Sequence, residues 1–168
     1  MRRCRRLVPI VAIGWAVLSP QPAFAHYLGY DSVDSGEIRY KDQTQWDDAR
    51  ANAISSWNDL AAGVYVALDT ASTVADLEFK DYSANDTKCG KYANNSGADD
   101  AWANNAFYNG YGQRDRRACT LHELGHAHGL AHSYNDEAMD DCPVSGCLGG
   151  SSYIVPQVHD KNDYYNLW

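Results

Sequence analysis

Polar and apolar residues alternate over 37–41, Glu37-Ile38-Arg39-Tyr40-Lys41, the period of a half-buried β-strand. The period then changes. Trp46, Ala49, Ala53, Ile54, Trp57, Leu60 and Ala61 recur at helical spacing, with Thr44 and Asp47 as a start signal and Gly63 as a stop. Further strands are predicted over 64–68 and 76–82, the second with Leu77 and Phe79 inward and Glu78 and Lys80 outward. Residues 83–100 are rich in Asn, Asp, Ser and Gly and predict a loop, with one more strand over 101–108. A helix is predicted from about Arg117, then an irregular stretch over 133–156, then a short closing helix over 157–167. There is no internal repeat. Strand, helix and strands followed by helices predict an α+β fold, a mixed sheet with helices packed on it.

The start of the chain follows a different pattern. Arg2, Arg3, Arg5 and Arg6 precede an apolar stretch over 7–18, broken by Pro9 and ended by Ser19-Pro20, and Ala23-Phe24-Ala25 gives a small-x-small close. This is the three-part secretory signal, with cleavage expected after Ala25 and a secreted chain beginning at His26. The apolar run is short for a bilayer span, which needs ~20 residues, so no membrane association is expected after cleavage. Export gives the cysteines meaning. Beyond Cys4 there are Cys89, Cys119, Cys142 and Cys147, an even set that reads as two disulfides with three ways of pairing. Cys142–Cys147, closing a small Pro/Gly loop, with Cys89–Cys119 is the favoured pairing.

Composition narrows the class further. A chain of 168 residues, 45% hydrophobic and 21% charged, has the length of one domain with its own core and is neither collagen-like, coiled-coil nor disordered. The formal charge is −8, yet four of the 14 Lys+Arg lie in the leader, leaving 10 bases against 22 acids from His26 onward. So acidic a surface repels phosphate backbones and excludes nucleic acid as a partner.

The chemistry is concentrated in 122–132, His122-Glu123-Leu124-Gly125-His126-Ala127-His128-Gly129-Leu130-Ala131-His132. His122 and His126 are four apart, about 40° around a helix and ~6 Å along it, so both imidazoles can face one ion. Glu123 projects beside them, within reach of a metal-bound water rather than the metal. Were the helix to continue, His132 would lie ~15 Å along the axis from His122. Gly129 is where the helix can end in left-handed geometry and let the chain return His132 to the ion. Three imidazoles leave a fourth position for water, the pattern of a catalytic zinc site. Zinc brings the pKa of such water to about 7, and Glu123 can take its proton and pass it to a leaving amine. His128, about 240° around from His122, reads as a surface or packing histidine, as do His26 and His159.

At these residues the chain resembles the metzincin zinc endopeptidases, whose motif is His-Glu-x-x-His-x-x-Gly-x-x-His followed by a methionine turn. Met139, seven residues after His132, fits that turn. Ser133, Glu137-Ala138-Met139 and the placement of Asp160 near the chain's end are most similar to the matrixin subgroup, and the snapalysin type of small bacterial protease is a more distant comparison. The resemblance implies a twisted mixed sheet with two helices in an upper subdomain over about 26–131. It implies a small irregular lower subdomain over about 132–168, ending in a helix. It also implies an apolar floor at Met139, a bracing role for Asp160, and an extended peptide in the cleft. Two residues after Met139 stands Asp141, where astacins and serralysins carry a tyrosine, so no oxyanion residue is assigned. No cysteine of the matrixin pro-segment kind lies between His26 and the first strand.

The expected protein is thus a secreted, monomeric zinc metalloendopeptidase of 26–168, with one catalytic Zn2+ on His122, His126 and His132 and with Glu123 as base. The acidic pairs Asp99-Asp100 and Asp140-Asp141 are candidates for calcium, although solvated acidic loops are the commoner case. The rival readings are a non-catalytic zinc-containing binding protein and a hydrolase of a non-protein amide such as cell-wall peptide.

Overall fold

The computed structural model describes residues 26–61, 63–133, 137–140 and 153–168, so the expected signal peptide and the expected Cys142–Cys147 bridge lie outside the described residues. Five strands form one sheet in the order β2-β1-β3-β5-β4. They are β1 (Glu37–Asp42), β2 (Tyr65–Leu68), β3 (Leu77–Tyr82), β4 (Gly90–Ala93) and β5 (Asp99–Asn104). All pair in parallel except β4, which runs antiparallel to β5 at one edge, with Lys91 opposite Trp102. Four helices complete the described fold: α1 (Asp47–Asn58), the single turn α2 (Asn105–Tyr108), α3 (Gln113–Ala127) and α4 (Val158–Leu167). None is long and apolar enough to cross a membrane.

α1 forms because its buried positions, Ala49, Ala53, Ser56 and Trp57, recur along one stripe while Asp47 and Asp48 face the positive end of the helix. Crossover helices belong on the face of a parallel sheet, and here α1 and α3 pack on each other and on that face. The core between them holds Ile38, Trp57, Leu77, Phe79, Leu121, Leu124, Met139 and Tyr164. The Trp57 indole donates to the Leu121 carbonyl at 3.0 Å, so the largest core side chain also satisfies its one polar atom and fixes α1 against α3. On the opposite face, Lys80 pairs with Glu78 at 2.5 Å and with Asp100 at 2.7 Å.

Three expectations need correction. The predicted loop over 83–100 contains β4 and the first residues of β5. β4 is four residues of an edge strand, Gly-Lys-Tyr-Ala, too short and too polar for period-two alternation to stand out. The strand predicted over 101–108 stops at Asn104, whose buried side chain accepts from the Ala106 N–H at 3.1 Å and starts α2. The same amide donates to the carbonyls of Ala84 and Lys88, so it also closes the turn before β4. Finally, α3 begins at Gln113, ahead of Arg117, because its first turn is anchored by polar contacts instead of an apolar stripe. Arg116 donates to the Tyr111 carbonyl at 2.8 Å, and Arg117 pairs with Asp48 of α1.

Candidate metal centre

α3 carries His122, Glu123 and His126, and ends where the glycine predicted it would. Gly129 has φ +87°, and a Cβ there would lie 2.7 Å from the Tyr27 ring. The N-terminal segment holds the reversed chain in place: Leu28 donates to the Gly129 carbonyl at 2.8 Å, and Ala131 donates to the His26 carbonyl at 2.7 Å. His132 follows directly, and Ser133 N–H donates to the Met139 carbonyl at 2.7 Å, tying the return to the methionine turn.

The three predicted ligands converge. The Nε2 atoms of His122, His126 and His132 lie 3.0 to 3.1 Å from one another. The edges of a tetrahedral zinc site with bonds of ~2.0–2.1 Å are about 3.4 Å, so the triangle is the right size for such an ion with slight expansion. The opposite ring nitrogens explain why these ones point inward. His122 Nδ1 meets the Ala138 carbonyl at 2.8 Å and His126 Nδ1 meets the Leu130 carbonyl at 2.7 Å. A carbonyl only accepts, so each Nδ1 carries the proton and each Nε2 presents a lone pair. Burial, with His122 and His132 alongside, holds His126 well below the usual imidazole range and keeps it neutral, the form that binds metal. Lone pairs aimed at one point repel unless a cation lies between them. The residues present fit a zinc ion, and MgO6-type or calcium coordination does not suit an all-imidazole set.

Beneath the histidines the packing is tight. A Cβ added at Gly125 would lie 2.2 Å from Met139 Sδ and 3.0 Å from Trp57, so the methionine turn seats directly on the helix at that glycine. Asp160 holds the turn from the other side. Its carboxylate accepts from the N–H groups of Ala138 at 3.1 Å, Met139 at 3.0 Å and Gln157 at 2.7 Å, while its own N–H donates to Glu137. Ala138 is the residue whose carbonyl receives His122, so Asp160 acts on a ligand through one peptide unit.

Glu123 is buried against the edge strand, and a Cβ at Gly90 would lie 2.9 Å from its Oε1. The Tyr92 backbone N–H bonds its carboxyl, and burial pushes its pKa up to about 8. β4 was not expected from the sequence, and it supplies both contacts. The disulfide Cys89–Cys119 joins the residue before β4 to α3, four residues ahead of Glu123, and so fastens these two elements together.

The remaining candidates go elsewhere. His128 is fully buried, donates to the Leu124 carbonyl at 2.8 Å and packs on Trp57 and Tyr164. Burial lowers its pKa to about 4, so it is a neutral packing residue. Asp99 is buried among donors from Ser32, Tyr92 and Asn95, and Asp100 pairs with Lys80. These groups fill the positions where calcium was considered at 99–100; Asp141 of the other pair lies outside the described residues. His26 and His159, read from sequence as surface or packing histidines, meet each other and Asp163. The signal that could have found them is the spacing of His159 and Asp163, four residues apart on a predicted helix, the same spacing as His122 and His126. No protein-family model matches the chain, and no curated protein matches it.

Proposed function

We propose that this chain is a secreted zinc endopeptidase of metzincin type, cutting extended peptide or protein substrates at the centre formed by His122, His126 and His132. The observation that carries the reading is the convergence of three Nε2 atoms within 3.1 Å of one another beside a buried carboxylic acid one residue away on the same helix. A purely structural site has no need of Glu123. Zinc held by the three imidazoles would supply Lewis acidity toward the scissile carbonyl and acidify water. Burial raises the Glu123 pKa, and a cation held by the neighbouring histidines would favour its ionised form. As the carboxylate, Glu123 would take a proton from the attacking water and return it to the leaving amine, while the Tyr92 N–H fixes its carboxyl. β4, the edge strand of the sheet beside Glu123, is where an extended peptide would add to the sheet. Met139 and Asp160 keep the floor and the His122 carbonyl partner in place. The Cys89–Cys119 bridge agrees with an oxidising compartment.

Removal and return of metal tests this reading. The purified chain, stripped with a chelator, should lose cleavage of denatured casein and regain it when zinc is returned in excess, and His126→Ala should not regain it. Cleavage of peptidoglycan but not casein would move the substrate to cell-wall peptide. Tight zinc binding without hydrolysis of either would favour the binding-protein reading.

A further inference from the structure

Away from this centre, α4 turns His159 and Asp163 to one side, and His26 reaches them from the other end of the described chain. His26 Nδ1 lies 3.0 Å from Asp163 Oδ2, His159 Nε2 lies 3.1 Å from His26 Nδ1, and His159 Nε2 lies 3.4 Å from Asp163 Oδ2. These three separations match the edge of about 3.4 Å expected around a tetrahedral ion as closely as those of the first centre do. The helical part of the plan is also the same, two donors four residues apart on one helix, although here the third donor comes from a segment far away in sequence.

Asp163 supplies the independent observation. Its side chain is 5% exposed, and Oδ1 is buried with no hydrogen-bond partner. A buried carboxylate oxygen without a donor is costly, and a cation held by both oxygens of this carboxylate would meet Oδ1 as well as the Oδ2 that faces the imidazoles. Hydrogen bonding alone serves the cluster poorly, since both imidazoles direct a nitrogen to the same Oδ2 and to each other, leaving Oδ1 unmet. Two imidazoles and a carboxylate suit zinc or a neighbouring late first-row divalent ion and are a poor match for calcium or magnesium.

We propose that His26, His159 and Asp163 form a second divalent-cation site of the zinc class, a structural clamp between the N-terminal segment and α4. All three donors are side chains, so the site does not depend on what precedes His26. Its position gives it a use. The His26 carbonyl accepts from Ala131 N–H, one residue before His132, and Asp160, one turn before Asp163, holds the methionine turn. A cation at this site ties together the two supports of the first centre.

Counting ions tests the clamp without reference to turnover. The full chain, stripped and then dialysed against zinc, is measured by native mass spectrometry beside His159→Ala, Asp163→Asn, His126→Ala and the His126→Ala/His159→Ala double variant. The parent should bind one equivalent more than His159→Ala or Asp163→Asn, and the double variant two fewer than the parent. Should Asp163→Asn fail to fold, His159→Ala carries the test, because that side chain is already a quarter exposed. An unchanged count in folded His159→Ala would overturn the second site and leave the first untouched. Two ions in the parent with no hydrolysis would overturn the proposed activity and leave the clamp standing.

Discussion

Gly125 has no side chain, and the centre is built on that absence. The Met139 thioether occupies the space its Cβ would fill, with Trp57 behind it. Gly125→Ala should therefore destabilise the protein by overpacking, by about 1–3 kcal/mol, even though alanine is the better helix former. Denaturant unfolding checks this, and a variant as stable as the parent would mean that the methionine turn is free to move. At the same scale, the histidines of the first centre were legible because helical geometry alone decides which of them share a face. His122 and His126 follow from their spacing, and Gly129 with its φ of +87° supplies the turn that His132 requires. The second cluster was legible only in part: the spacing of His159 and Asp163 puts them on one helix face, but His26 and Asp163 are 137 positions apart and only folding brings them to 3.0 Å.

Among the elements, those with a buried face declared themselves and those held by polar contacts did not. Strand β3 shows Leu77 and Phe79 buried in alternation, and α1 shows its alanine and tryptophan stripe. Strand β4 and the first turn of α3 have no such stripe, so their sequences resemble loop, and the Glu123 contacts made by β4 went unread with it. The terminal helix matters through Asp160 more than through its apolar residues. Asp160→Asn keeps the size of the side chain but replaces an acceptor with an amide donor facing the N–H of Ala138 or Met139. The expected cost is about 1–3 kcal/mol of stability. Because the Ala138 carbonyl orients His122, zinc affinity should also fall by about 10- to 100-fold, read by chelator competition. Unchanged affinity in a folded Asp160→Asn protein would show that the turn does not position the ligand.

Over the whole molecule, a sheet face, two packed helices and one described disulfide hold the centre rigid. Cys89–Cys119 spans a sequence separation of 30, and losing it should cost about 3–4 kcal/mol by the chain-entropy argument. Replacing both cysteines by serine and measuring thermal unfolding isolates that bond from the other pair. The double variant should also loosen β4 from α3 and so weaken turnover more than zinc binding. The central claim is that the three histidines hold zinc while Glu123 does proton transfer, and one comparison tests both halves. Zinc content and casein turnover are measured on the same preparations of the parent and Glu123→Ala. The account predicts parental zinc content in the variant with turnover reduced at least about 100-fold. Turnover at the parental rate in Glu123→Ala would contradict it.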